Sequence, residues 1–333
     1  MQSSSAQTSG SVIVVLGTGG TIAGTAASAD DNVGYTAAQR GVAQLVVAVP
    51  QLASSAIETE QVAQLDSKDM GHAVWLRLAQ RVAFHLARDD VAGIVVTHGT
   101  DTLEETAWFL QRVLAPAKPV VLTGAMRPAT SLHSDGPQNV ADAVAVVRER
   151  GARGVVVAFA GVVHGARDVR KVHPYRVDAF GSGDAGPIAR VEEGALRRLR
   201  DWPGASGTGH VVGLARLPQD AAQWPWVEIV TSGVQAGGAA VRALAAAGVR
   251  GLVVATTGNG TVHADLEMAL RAAQMQGIAV LRATRCLDGR IVEPASPGAD
   301  ALPSAGDLTP VKARIELMLR LIEGNGNPET RSG

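Results

Sequence analysis

Only one cysteine, Cys286, occurs in the 333 residues. A disulfide within the chain is excluded, and with it Cys-ligated metal sites and racemisation between two opposed thiols. No sign of charge dominates: Lys and Arg number 30 against 31 Asp and Glu, for a net charge of −1. Nucleic acids and anionic membranes both demand a basic face, so neither is expected as a main partner. Long apolar runs are missing too. Val12 to Leu16 and Val155 to Ala160 fall far short of the roughly 20 residues of a membrane helix. The opening MQSSSAQTSG has neither a basic n-region nor an apolar h-region, so it does not read as a signal peptide. The expected location is the cytoplasm, or the periplasm if a leader has been removed.

Familiar catalytic signatures are also lacking. Gly17-x-Gly19-x-x lands on Ile22 where a dinucleotide fingerprint needs glycine, and Gly24 is followed by Thr25 with no Walker lysine. The 8 histidines include no HxxxH pair, so no metal is expected. Gly181-Ser182-Gly183 has the wrong spacing for a nucleophile elbow.

What is present is globular: 46% apolar and 18% charged residues, over a length worth roughly two domains. Short β-branched runs alternate with Gly/Thr/Asp turns and helical stretches. Ser11–Leu16, Gly93–Thr97, Pro119–Thr123 and Gly154–Ala160 read as strands buried on both faces. Between them, 71–88 sets Trp75, Leu78, Val82 and Leu86 on one helical face, and a second helix falls near 138–150. Thr102 and Glu105 have capping-box spacing. After a degraded stretch at 192–223, which reads as a connection with room for a hairpin, the rhythm resumes. Gly251–Ala255 and Gly277–Leu281 flank a helix at 264–276, and Thr309-Pro310 opens a last helix to Glu323. The remaining tail to Gly333 is expected to fray. Alternating strands and helices predict a parallel sheet with right-handed crossovers, whose ligands bind beyond the carboxyl ends of the strands.

Gly17–Thr21 and His98–Asp101 sit at such ends. On residues alone, the first is either a plain tight turn or a glycine-rich strand end that presents the hydroxyl of Thr21. The second is either a helix cap or a second threonine, Thr100, beside a carboxylate, Asp101, able to orient a lysine. Lys171, in Arg167-Asp168-Val169-Arg170-Lys171, is the candidate lysine, unless that run is only a solvated loop. His98 is expected to support its turn by hydrogen bonds.

Taken in order, Gly17-Thr18-Gly19-Gly20-Thr21-Ile22-Ala23-Gly24, Thr97-His98-Gly99-Thr100-Asp101-Thr102, Leu122-Thr123-Gly124-Ala125-Met126-Arg127-Pro128, Arg167–Lys171 and Gly258-Asn259-Gly260 resemble bacterial-type L-asparaginases. The likeness spans about Ser11 to Glu323. It implies an α/β fold with a larger N-terminal parallel-sheet domain and a smaller C-terminal α/β domain. The expected division is a disordered tail at 1–10, a catalytic domain at 11–195, a connection at 196–223 and a second domain at 224–333. The activity implied is hydrolysis of L-asparagine to L-aspartate and ammonia, without cofactor. The implied assembly is a homotetramer of two dimers with sites shared between subunits. Thr21 would be the nucleophile, on a loop that closes with Tyr35, and Thr100, Asp101 and Lys171 a second catalytic cluster. Ser67 and Asp101 would hold the α-carboxylate and α-ammonium, and Asn259 would come from the neighbouring subunit.

The chain departs from the family pattern in places. Lys68 stands where Gln or Glu often faces the substrate ammonium, so it is expected to weaken affinity, and Lys68→Gln to lower KM. Glu293 is only loosely aligned with an acidic residue of the partner subunit. Competing readings are a broad glutaminase-asparaginase and a non-catalytic amino-acid-binding protein.

Overall fold

Runs of buried valine decide the architecture. In the computed structural model, which describes residues 11–204, 211–296, 298 and 301–324, the chain begins with β1 (Val12–Gly19), α1 (Val42–Val47), β2 (Ile57–Leu65), α2 (His72–Leu86), β3 (Val91–Thr97), α3 (Leu103–Leu114) and β4 (Pro119–Thr123). It continues with α4 (Gly136–Arg148), β5 (Gly154–Phe159), β6 (Val162–Gly165), β7 (Arg170–Lys171), β8 (Phe180–Gly181), β9 (Ala189–Glu192) and β10 (Ala195–Arg198). The remainder holds β11 (Val227–Thr231), α5 (Ala239–Ala246), β12 (Gly251–Thr256), α6 (Ala264–Met275), β13 (Ala279–Thr284) and α7 (Pro310–Ile322). The tail expected at 1–10 and the stretch 325–333 lie outside the described residues.

Packing divides the chain into two units, one formed by residues through Ser182 with Gly186–Val211, the other by Gly183–Ala185 with Val212 onward. The first is built on an eight-stranded sheet in the order β10-β9-β6-β5-β4-β3-β1-β2. Strands β2, β1, β3, β4 and β5 are parallel. The parallel sheet expected from the sequence carries an antiparallel edge, where β6, β9 and β10 run antiparallel. There β5 turns straight back through Ala160 and Gly161, both at positive φ, and a short hairpin needs no crossover helix. β4 and β5 are buried at every position, as strands covered on both faces must be. Ile13, Val15, Val95, Val121 and Val156 join a core with Val140, Val144 and Val147 of α4 and Leu45 of α1. Alternate residues face the other way, where Trp75 of α2 stacks on Phe109 of α3 at 4.8 Å.

Strand β2 carries no apolar run; it alternates charge and half-burial at the sheet edge. Its Glu60 is held by Arg81 and His85 of α2. The capping-box spacing at Thr102 is put to another use: no side-chain cap forms on α3, because the Thr102 hydroxyl donates to the carbonyl of Ser67 at 2.8 Å.

The second unit repeats the pattern on a smaller scale, with parallel β11, β12 and β13 in that order. Val230, Leu252, Val254 and Val280 pack against Val241 of α5 and Leu266 and Leu270 of α6. Gly277 does not open a strand. It ends α6 at φ +82°, where its N–H and that of Ile278 cap the carbonyls of Gln274 and Ala273, so β13 starts at Ala279.

Candidate active site

Everything in the larger sheet converges where β1, β2 and β3 end side by side. Gly19 and Gly20 turn the chain off β1 at φ +102° and +83°, a region that L side chains avoid. A Cβ on Gly20 would stand 2.3 Å from the Cα of Gly99. Only bare backbone permits the two turns to touch. The Thr18 hydroxyl donates to the Thr97 carbonyl at 3.0 Å and seals the strand ends together.

Thr21 follows at once, nearly buried, with its Oγ1 2.7 Å from the hydroxyl of Tyr35. The segment between them is a loop pinched at its base: Thr25 and Thr36 exchange backbone hydrogen bonds, both 2.9 Å. Tyr35 is thereby folded back over the nucleophile candidate.

The second threonine has different company. Lys171 Nζ donates to Thr100 Oγ1 at 2.9 Å and to Asp101 Oδ1 at 2.6 Å. Lys171 arrives on a two-stranded ribbon, β7 with β8, in which it pairs with Phe180. The run from Arg167 is therefore no solvated loop. Its Asp168 is also held, by Arg200. Ser67, at the end of β2, is buried and accepts the Asp101 backbone N–H at 3.2 Å. The next residue, Lys68, is exposed and paired with Asp69, which raises its pKa.

His98 supports the turn as expected. Its Nδ1 lies 2.7 Å from the Gly99 carbonyl and its Nε2 2.9 Å from Thr106 Oγ1, which takes the indole N–H of Trp75. A carbonyl accepts only, so Nδ1 carries the proton and Nε2 accepts. Complete burial pushes the imidazole pKa down to about 4, so the ring is neutral and uncharged beside Thr100.

Thr21, Tyr35, Ser67, Lys68, Thr100, Asp101 and Lys171 thus all belong to the first unit. Asn259 and Glu293 belong to the second, where each is held by its own partner. The Asn259 carboxamide clasps the backbone of Val292, donating to its carbonyl at 3.0 Å and accepting its N–H at 2.7 Å. Glu293 takes both its hydrogen bonds from Arg282, at 2.8 and 3.0 Å. Among the described residues no group of three or more His, Cys, Asp or Glu is placed to hold a metal. No described helix is long and apolar enough to cross a membrane.

One site element escaped the sequence reading. Asp135, beside the start of α4, accepts backbone N–H groups from Met126 and Arg127 and the amide of Asn139. The signal was there in Asp135-Gly136-Pro137-Gln138-Asn139, an acid ahead of a Gly-Pro turn.

Residues 12–203 match the family described as asparaginase, N-terminal, and residues 226–332 the glutaminase/asparaginase C-terminal domain. This chain belongs to the asparaginase family. It is 37% identical to a glutaminase-asparaginase of Pseudomonas fluorescens biotype A over 95% of this chain and 88% of that one. It is 38% identical to L-asparaginase 2 of Escherichia coli K12, over 93% and 89%. The crystal structure of a probable cytoplasmic L-asparaginase from Campylobacter jejuni superposes with a TM-score of 0.88 at 38% identity, covering 96% of this chain and 97% of that one. Membership of the asparaginase family accounts for the two-unit α/β design.

Proposed function

We propose that the chain hydrolyses the side-chain amide of L-asparagine to L-aspartate and ammonia. The observation that carries this reading is the paired constellation at one sheet end: Thr21 against Tyr35, and Thr100 against Lys171 and Asp101. An amide is a poor electrophile and a poor leaving group, so it needs both an activated nucleophile and a proton source for nitrogen. Thr21 Oγ1 attacks the side-chain carbonyl as its proton passes to the Tyr35 oxygen and the phenol's own proton passes on to water. The C–N bond breaks as the nitrogen takes a proton from Thr100, which is replenished from the Lys171 ammonium. Lys171 regains a proton from water, so the proton Thr21 releases matches the one nitrogen takes up, and ammonia leaves. Water then cleaves the threonyl ester, restoring the Thr21 hydroxyl and releasing aspartate. Asp101 keeps Lys171 aimed at Thr100.

Ser67 and Asp101 are assigned to the substrate's α-carboxylate and α-ammonium, with Lys68 at the rim. Asn259 and Glu293 are assigned to the partner subunit's contribution, in a homotetramer of two dimers. The cytoplasm is the location we favour, testable by cell fractionation. Glutaminase-asparaginases among the relatives motivate the second reading, a site that accepts glutamine as well.

The experiment is ammonia release from L-asparagine and L-glutamine by wild type and Thr21→Ala. Asparagine turnover that collapses in the variant is expected, and the glutamine rate chooses between the two readings. A folded wild type that binds asparagine but releases no ammonia overturns both in favour of a binding protein.

A further inference from the structure

The proposed catalytic groups stand on segments that leave the sheet, and both segments are fastened to the same loop, 124–135. On the lid side, Ala129 N–H donates to the Gly24 carbonyl at 3.0 Å, and Ala26 N–H to Thr130 Oγ1 at 2.9 Å. On the other side stands the β7–β8 ribbon, only two residue pairs long. So short a pairing holds little by itself. Its tip, 172–179, exposes Val172, Tyr175 and Val177. Arg127 grips that tip. Its Nη1 donates to the Tyr175 carbonyl at 2.8 Å, and its guanidinium lies over the Tyr175 ring, with Cζ 4.1 Å from the centroid. The backbone of Arg127 is itself pinned, its N–H donating to Asp135 Oδ1 at 3.0 Å.

We infer that Arg127 is a positioning residue, which couples the ribbon carrying Lys171 to the loop that anchors the Thr21 lid. The inference rests on the reading of Thr21 and Lys171 given above. A guanidinium serves here because one planar group both stacks on a ring and donates sideways to a carbonyl. Without it, the tip is free to swing and Lys171 spends less time on Thr100. Ser67 keeps its place and Asp101 loses only its lysine partner, so the loss falls on kcat more than on KM.

The test measures kcat and KM for L-asparagine, with melting temperature, in full-length Arg127→Gln, Tyr175→Ala, Tyr175→Phe and the Arg127→Gln/Tyr175→Ala pair. Arg127→Gln and Tyr175→Ala are each expected to lower kcat about tenfold with KM within about twofold. Tyr175→Phe keeps the ring and the carbonyl and behaves as wild type. The double variant is no worse than Arg127→Gln, because that change already removes both the stacking and the carbonyl hydrogen bond. Losses that multiply in the double variant overturn the inference, as does a Tyr175→Phe that falls as far as Tyr175→Ala. So does a lowered melting temperature with kcat intact. If Thr21→Ala is inactive while Tyr175→Ala keeps full kcat, this inference alone fails. If Thr21→Ala is as active as wild type, the reading of the site fails first and takes this one with it.

Discussion

Two threonine hydroxyls in one site do different work because their neighbours differ. Thr21 meets only another hydroxyl, whereas Thr100 meets an ammonium fixed by a carboxylate. Replacing Lys171 with Met leaves Thr100 without its proton source, and kcat is expected to fall by about 10²- to 10⁴-fold. Steady-state kinetics at saturating asparagine checks this. Lys68 poses a subtler question, since its charge lies near the proposed ammonium site but is turned onto Asp69. Asp69→Asn frees that charge and is expected to raise KM a few-fold, while Lys68→Gln lowers it. In a Lys68→Gln background, Asp69→Asn loses its effect, because solvent-exposed charges act here only through one another. A rise in KM that persists in that background would count against the idea. His98 gives the molecule a pH dependence. Its folded pKa of about 4 lies below the ordinary imidazole value of about 6.5. The unfolded chain therefore binds the proton first, so stability is complete above pH 6.5 and is lost as pH falls toward 4. The loss from this residue approaches about 3 kcal/mol. Asp135 and Asp142 oppose part of it, because burial raises both and makes the folded state take up their protons more readily. Urea denaturation midpoints between pH 7.5 and 4.5 read the sum, and a His98→Gln variant that flattens the curve isolates the His98 share.

At the scale of elements, the site depends on how closely three strand ends approach. Gly20 is the point where no side chain fits, by steric contact with Gly99 and by its own positive φ. Gly20→Ala is expected to cost about 3–5 kcal/mol and to abolish activity even in the fraction that folds, since Thr21 must shift with it. Thermal unfolding combined with kinetics on the soluble fraction tests this. The loop 124–135 matters for a different reason. It has no regular structure of its own, yet Asp135 and Asn139 fix it at several points. Asp135→Asn exchanges a charged acceptor for a neutral amide, and faster proteolysis within 25–36 is the expected result, with the melting temperature lowered by a few degrees.

Across the whole molecule, the proposed substrate groups are distributed over two units of one chain. Asn259 and Glu293 are held by Val292 and Arg282 within the second unit, so their aim is set before any substrate arrives. If the site is completed by a neighbouring subunit, Thr21→Ala and Asn259→Ala protomers complement one another. Refolding equal amounts together is expected to restore roughly a quarter of wild-type activity, because half of the dimers are hybrids and each hybrid has one intact site. No recovery, or light scattering that gives a monomer, would refute a shared site.

The sequence by itself determined what depends on neighbours along the chain. Continuous valine runs marked β4 and β5, glycine and threonine marked the turns at strand ends, and the order of motifs marked the family. Strand β2 stayed hidden because an edge strand that is half solvated has no apolar run to read. The antiparallel edge stayed hidden because pairing direction follows from how sharply the chain turns at Ala160 and Gly161, and not from composition. Lys171 was legible as a residue but not as a neighbour. Its place beside Thr100, 71 positions away, is fixed by the ribbon that delivers it and by Arg127 at the ribbon's tip. The tertiary structure alone decided such encounters, because a hydrogen bond between distant residues forms only where packing brings both partners to one point in space.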